Sequence, residues 1–135
     1  MDESWDEGVK PAYRIENVIS ALGCGPEVEE IASILSEREY RIFEVEQPPG
    51  AFIPYHAHEE EEAIVVLDGR MQFNVEEELV PLRKGEMITI RAEAVHAAAT
   101  VGRRAARLLI AFAQAAKPAP EPGWEAEDED DSRGA

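Results

Sequence analysis

Two of the three histidines in this 135-residue chain, His56 and His58, lie one residue apart. Side chains alternate between the two faces of a β-strand, so both imidazoles point to the same side. Glu62 has the same parity and joins them if the strand continues. Two imidazoles and a carboxylate on one face are suitable ligands for a divalent transition metal ion. His96 follows 38 residues after His58 and can complete the shell from a distant strand.

The carboxylate of this set belongs to a run of four glutamates, Glu59 to Glu62. Glu60 also shares the parity of the two histidines, so strand alternation alone leaves two candidates. The other glutamates of the run are expected to be solvated charge at a strand end. Three or four protein ligands would leave coordination positions open, as in catalytic rather than structural metal sites.

The overall charge excludes several classes of partner. The formal net charge is −16 at pH 7, which is the wrong sign for binding nucleic acid or an anionic membrane. Cys24 is the only cysteine, so the chain can form no internal disulfide, which fits a reducing compartment. The acidic start of the chain contains no secretory signal, and no apolar run is long enough to span a bilayer. A cytoplasmic protein is expected.

The chain divides into four regions by composition and periodicity. Residues 1–12 form a polar, flexible leader. Residues 13–38 form a helical cap of two short helices, of which the first starts at Tyr13 and ends before Gly23. Residues 39–116 contain many short, alternating strands separated by turns such as Asp68-Gly69, a pattern typical of an antiparallel sandwich or small barrel. Residues 117–135 are rich in proline and then in acidic residues, which predicts a disordered acidic tail.

The spacing of glycine, histidine and glutamate resembles the first motif of the cupin family. Gly50, His56, His58, Glu62 and Gly69 fall at its fixed positions. A second, partial motif is similar to the family's Gly-Asp…His pattern. Gly85 stands eleven residues before His96, and Glu86 takes the position of the aspartate. This sequence departs from the second motif at three positions. Arg91 replaces a usual proline, Glu93 a common glycine, and Thr100 an asparagine.

The resemblance covers about residues 40–113 and implies an all-β fold, a double-stranded β-helix of the jelly-roll type. It also implies one divalent transition metal ion inside the barrel, without deciding between Fe, Mn, Ni, Zn, Co and Cu. Carried over by position, the metal ligands are His56, His58, Glu62 and His96. The distance to Gly69 selects Glu62 over Glu60. Homodimers are also expected from the resemblance and from the need to cover exposed sheet edges.

Four further residues are candidates for lining the pocket. Phe52 and Pro54 share the parity of His56, although filling the barrel core explains them equally well. Gln72 and Asn74 could supply polar groups to the pocket. They alternate with apolar residues that look buried, however, and this alternation favours an outward orientation for both.

The sequence leaves two classes of function open. One is a metal-dependent enzyme acting on a small molecule, with dioxygenase-type chemistry ranked ahead of isomerase or lyase chemistry because a histidine-rich site suits redox metals. The alternative is a non-catalytic regulatory module that binds a metal or a small ligand. No separate acid–base pair defines a reaction. A structural domain without metal is the least favoured interpretation.

Overall fold

The computed structural model describes residues 11–114 of the chain. The elements in chain order are β1 (Tyr13–Asn17), α1 (Val18–Leu22), α2 (Val28–Glu37), β2 (Tyr40–Gln47), β3 (Phe52–His56), β4 (Glu62–Asp68), β5 (Arg70–Val75), β6 (Glu78–Arg83), β7 (Glu86–Ile90), β8 (His96–Thr100) and β9 (Ala106–Ala113). The predicted tail, 117–135, and all but the last two residues of the predicted leader, 1–12, lie outside the described residues.

The strands form two antiparallel sheets. The larger sheet has the order β1-β7-β4-β9-β2, and the smaller has the order β3-β8-β5-β6. A buried apolar core draws on both sheets, with Ile64, Ile88 and Leu108 from the larger and Phe73 and Leu82 from the smaller. The predicted mostly β architecture with two short helices is therefore confirmed. Chain segments far apart in sequence, such as 52–56 and 96–100, become direct neighbours in the smaller sheet.

The two helices cover the outer face of the larger sheet. Ile31 and Leu35 of α2 are buried in a second apolar cluster, together with Ala63 and Val65 of β4. Alternate residues of β4, Ile64 and Val66, belong to the core between the sheets. This strand is thus buried on both faces, which explains its uninterrupted apolar sequence. Fully burying one side chain such as Leu35 stabilises the fold by roughly 1.5–3 kcal/mol.

The expectation of a helix from Tyr13 is wrong for residues 13–17, which form strand β1. This strand pairs with β7, and Ile15 lies opposite Ile88. Ile15 is 38% exposed, so it is not part of the buried helical stripe that its spacing suggested. The helix begins only at Val18, where the Asn17 side chain accepts a hydrogen bond of 3.1 Å from the Ser20 N–H. An N-terminal cap of this kind separates strand from helix.

Gly69 forms the turn between β4 and β5 at a place where the backbone is crowded. Its φ is +83°, in the left-handed region that disfavours residues with a Cβ atom. A Cβ atom at this position would lie 2.7 Å from the Ala105 carbonyl oxygen and 2.8 Å from the Ala106 Cα. Both the turn and the close approach of the chain before β9 therefore require glycine here.

We expect Gly69→Ala to destabilise the fold more than Gly85→Ala. Gly85 has a similar φ of +89°, but nothing lies within 4 Å of its added Cβ. Gly85→Ala should therefore cost only the strain of the left-handed conformation, about 1–2 kcal/mol. Gly69→Ala adds a clash with backbone atoms that cannot rotate away. Urea unfolding of both variants measures the difference, and equal losses would contradict the close approach.

No helix among residues 11–114 is both long and apolar enough to cross a membrane.

Candidate metal centre

Four side chains meet at one end of the space between the two sheets. His56 is the last residue of β3 and pairs directly with His96, the first residue of β8. Glu62 is the first residue of β4, on the facing sheet, and His58 lies in the connection between β3 and β4. One potential ligand atom from each of the four lies within 4.8 Å of all the others. The structure thus brings together the four residues that the sequence nominated.

The reason for this convergence differs from the one that strand parity suggested. Strand β3 ends at His56, so His58 and Glu62 do not continue it. Residues 57–61 instead cross from the smaller sheet to the larger one, and the site lies at this crossing. Glu60 shares the parity of the histidines, but its carboxylate pairs with Arg41 at 3.2 Å. The crossing, and not alternation along one strand, selects Glu62.

Backbone carbonyls orient two of the imidazoles. The Nδ1 atom of His56 lies 2.8 Å from the Pro54 carbonyl oxygen. The Nδ1 atom of His96 lies 2.9 Å from the Ala94 carbonyl oxygen. A carbonyl only accepts hydrogen bonds, so both Nδ1 atoms donate, which leaves the Nε2 atoms as the ligand atoms. Without a metal, the Nε2–H of His96 donates to Glu62 Oε1 at 3.0 Å, and a bound ion would replace that proton. Contacts of this type fix the tautomer and the ring orientation of histidine ligands in metal sites.

The distances within the cluster are close to those around a single transition metal ion. Glu62 Oε1 lies 3.0 Å from His96 Nε2 and 3.6 Å from His58 Nε2. With metal–ligand bonds of about 2.1 Å, neighbouring ligand atoms are roughly 3.0–3.4 Å apart. Glu62 is only 5% exposed and His96 only 3%. A carboxylate this deeply buried needs positive charge or hydrogen bonds near it, and a divalent ion would supply the charge.

The cluster shifts the pKa values of two histidines in opposite directions. Burial lowers the pKa of His58, and the nearby His56 and His96 add to this, against the opposing charge of Glu62. Burial alone would also lower the pKa of His96. The hydrogen bonds to Glu62 and to the Ala94 carbonyl, together with the Glu62 charge, outweigh burial and raise it. A neutral His58 has its lone pair available to bind a metal.

The site opens onto a cavity of about 310 Å³ between the sheets. His56, Glu62 and His96 form its polar end. The rest of the lining is apolar and comes from both sheets, including Val45, Ile53, Phe73, Ala98, Leu108 and Phe112. Phe43 also lines the cavity and is 47% exposed, so the cavity meets solvent there. A metal bound by the cluster would therefore face an apolar, water-accessible chamber.

Phe52 and Pro54, expected to line the pocket from their parity with His56, are not among the residues lining this cavity. The pairing of β3 with β8 shifts register between Ile53 and His56. This irregularity inverts the alternation, so that Ile53 and His56 both face the cavity. Phe52 is 63% exposed on the outside. Pro54 contributes to the site through its carbonyl oxygen, a role that its side chain did not indicate.

Gln72 and Asn74 also lie outside the cavity. They border a shallow groove on the outer face of the smaller sheet, together with Phe52, Tyr55 and Leu79. Their neighbours Met71 and Phe73 are buried and line the cavity, although Phe73 also borders the groove. The outward orientation favoured by alternation is therefore found, and neither residue supplies a polar group to the metal site.

The loop before His96 keeps its conformation despite the departure from the cupin motif. Glu93, at the position where glycine is common, has a φ of +71°, in the left-handed region. Its N–H donates a hydrogen bond of 2.7 Å to the His58 carbonyl oxygen. The loop that carries His96 is thereby joined to the segment that carries His58. The positive φ accounts for the usual glycine, and Glu93 adopts the same conformation with some backbone strain.

Two facing β-sheets with three histidines and one glutamate between them define a small β-sandwich protein with a candidate metal centre. Comparison with known families agrees with this description. The family described as "Cupin domain" matches residues 43–112, from the middle of β2 to the end of β9. The chain belongs to the cupin family. The match includes all four residues of the cluster.

Solved structures with the same fold share little sequence with this chain. The cupin domain of Cnp3 from Schizosaccharomyces pombe has a TM-score of 0.54 and 19% identity, and 56% of each chain is covered. An RmlC-like cupin from Shewanella frigidimarina has a TM-score of 0.52 and 22% identity, covering 58% of this chain and 68% of that one. A structure described under the DMSP lyases RdDddP and RnDddQII has a TM-score of 0.52 and 26% identity.

The comparison with curated proteins finds no match to this chain. The match covers 56% of the Cnp3 chain and 39% of the lyase chain, and therefore only part of either. These similarities establish the fold and no particular activity.

We expect Glu62→Gln to weaken metal binding strongly, whereas Glu60→Gln leaves it unchanged. Glu62 is buried beside His96, and the amide removes the negative charge that would neutralise the ion. Glu60 is the matched control because it belongs to the same run and pairs with Arg41 on the surface. Competition with a zinc-binding dye should show at least a tenfold loss for Glu62→Gln. Equal affinities in the two variants would remove Glu62 from the ligand set.

Proposed function

We propose that this protein binds one divalent transition metal ion through His56, His58, Glu62 and His96, and acts as a metal-dependent enzyme on a small molecule. The observation that carries the proposal is the orientation of the cluster. The Nε2 atom of His96 lies 3.0 Å from Glu62 Oε1, and a ring nitrogen of His56 lies within 4.8 Å of the same carboxylate, next to a cavity large enough for a ligand. Pockets for small molecules commonly start at about 300 Å³ and are mostly apolar.

Within this proposal, each part of the site has a chemical task. When bound, the ion supplies a Lewis acid and open coordination positions for dioxygen or a chelating substrate. Glu62 lowers the net charge of the site, and the Pro54 and Ala94 carbonyls hold the histidine rings in place. The apolar walls exclude bulk water and position the substrate. Fe, Mn, Ni, Zn, Co and Cu all accept this set of ligands.

Dioxygenase-type chemistry is preferred over isomerase or lyase chemistry. Of the described residues that line the cavity, only those of the cluster have ionisable side chains. An isomerase or lyase usually needs an acid or base beyond the metal ligands, whereas a redox metal can bind and activate dioxygen itself. A structural neighbour described under DMSP lyases supports the lyase alternative. A regulatory module that binds metal without turnover is the second candidate.

A metal analysis coupled to an activity assay tests this function. Protein purified without a histidine tag and reconstituted with Fe²⁺, Mn²⁺, Ni²⁺, Co²⁺, Cu²⁺ or Zn²⁺ should retain about one ion per chain. The double variant His56→Ala/His96→Ala should retain none, while the surface variant Gln72→Ala behaves as the parent. Parent protein loaded with a redox-active ion such as Fe²⁺ should consume oxygen when aromatic or thiol compounds are added, whereas the Zn²⁺ form should not.

The outcomes separate the candidates. No stoichiometric metal in the parent contradicts the metal site itself. Stoichiometric redox-active metal without oxygen uptake for any compound tested rejects the dioxygenase. Metal or ligand binding that raises the melting temperature, with no turnover of any kind, favours the regulatory module instead.

We also propose that the two sheets form a double-stranded β-helix and that the protein is a cytoplasmic homodimer. The lone Cys24 supports a reducing compartment. The outer face of the smaller sheet supports pairing, because Phe52, Tyr55 and Leu79 are all more than half exposed there. Exposed apolar side chains gathered on one face are typical of interaction sites.

Leu79→Arg should shift the protein from dimer to monomer if this face is the interface. The substitution places a charge where two copies would exclude water, and Leu79 is 64% exposed, so the monomer should still fold. Light scattering after size-exclusion chromatography gives the mass. Ile19→Arg is the control, because Ile19 is likewise exposed but belongs to α1, which packs on the larger sheet and not on the outer face of the smaller one. A parent protein that is monomeric at high concentration rules out the dimer.

A further inference from the structure

The walls of the cavity offer almost no hydrogen-bonding groups to a ligand. Ten of the thirteen residues that line it are apolar, and the other three are His56, Glu62 and His96. Any polar group of a ligand that does not reach the metal end would be buried without a partner. Burying an unpaired hydroxyl or amide costs about 1–3 kcal/mol, so a molecule with several such groups is strongly disfavoured. Sugars and other polyols are therefore poor ligands for this chamber.

The aromatic side chains in the lining favour a flat ring. Phe73 lies in the interior, while Phe43 and Phe112 stand near the opening. The Phe43 and Phe112 rings pack edge to face, with their centroids 6.2 Å apart. The ring centroids of Phe112 and His58 are also 5.0 Å apart, so the aromatic lining extends to the metal site. Rings of this kind bind other aromatic rings through offset or edge-to-face contacts.

The charge at the opening is already balanced. The Arg41 guanidinium lies 5.9 Å from the Phe43 ring and 5.3 Å from the Phe112 ring. The same guanidinium pairs with Glu60 at 3.2 Å. An anionic ligand would therefore have to compete with Glu60 for this cation. The opening favours a ligand without a net charge.

The volume limits the size of the ligand. An apolar protein cavity of about 150 Å³ holds one benzene molecule. The present cavity of about 310 Å³ is twice that size, which corresponds to roughly a dozen non-hydrogen atoms. One or two fused rings fill this space, whereas a nucleotide or a long acyl chain would have to extend through the opening into solvent.

We propose that the cavity selects a small, uncharged, mainly apolar molecule, with one or two aromatic rings and a single oxygen or sulfur donor that reaches the metal. This inference rests on the proposed function, because the donor binds the ion held by His56, His58, Glu62 and His96. It narrows that function to phenol-like or thiol-like compounds. It also removes sugars from the isomerase and lyase alternatives.

Calorimetric titration with 2-naphthol and with glucose tests the selectivity. The two probes are of similar size, but glucose carries hydroxyl groups over its whole surface. Protein loaded with Zn²⁺, which has no redox chemistry, and metal-free protein are both titrated. We expect one naphthol to bind per chain in both forms, at least tenfold more tightly with zinc. Glucose should bind neither form detectably.

Two neighbouring alanines of β8 provide matched variants. Ala98 is buried in the core between the sheets and lines the cavity, although it also borders the outer groove, whereas Ala99 borders the groove alone. Ala98→Leu fills part of the chamber and should weaken naphthol binding at least tenfold while zinc still binds. Ala99→Leu adds the same atoms outside and should leave the affinity unchanged. If Ala98→Leu does not fold, Val45→Phe on the edge strand β2 fills the chamber from the opposite sheet.

The results distinguish this inference from the proposed function. If zinc binds but naphthol does not, or if glucose binds as tightly as naphthol, the inference is overturned and the metal site stands. Naphthol binding that survives both cavity-filling variants also overturns it. If naphthol binds and responds to Ala98→Leu although zinc does not bind, the metal site fails and the apolar selectivity of the chamber is supported.

Discussion

The burial of the Glu62 carboxylate between two sheets is the constraint on which the rest of the site depends. A carboxylate that is almost fully buried is costly unless positive charge and hydrogen-bond donors surround it. His96 contacts it directly at 3.0 Å, and His58 lies 3.6 Å away. The two sheets must therefore approach each other at the point where the chain crosses from β3 to β4. The apolar cavity is the space that remains beside this polar contact.

The fold holds this arrangement from both sides. Strand β4 carries Glu62 at its start and then contributes alternate residues to the inner core and to the helical layer. Two independent apolar clusters thus fix the position of a single strand. On the other sheet, direct pairing of His56 with His96 ties the two histidine strands together. Rigid strands on both sides suit a site in which ligand atoms must be placed within a few tenths of an ångström.

The sequence predicted the components of the site better than their geometry. The spacing from Gly50 to Gly69 selected the glutamate that the structure places beside the histidines, and turn signals such as Asp68-Gly69 placed most strands. The prediction of a helix at residues 13–17 is wrong because Ile15, Val18 and Leu22 have helical spacing. That spacing carries no information on the pairing with β7, which makes residues 13–17 a strand. The inward turn of Ile53 depends on the register between two strands, which no single strand encodes. Sequence patterns describe local periodicity, whereas these features arise from pairing at long range.

The histidine rings are held by main-chain carbonyls of Pro54 and Ala94 and not by side chains. Every amino acid carries such a carbonyl, so substitutions at these two positions can accumulate during evolution without removing the contact. The amino acids found at these two positions then say little about whether the histidine orientation has been under selection. Related proteins can diverge widely in sequence there and still present the same face of each imidazole. The backbone conformation of the strands is enough to keep the histidine rings in the orientation that metal binding needs.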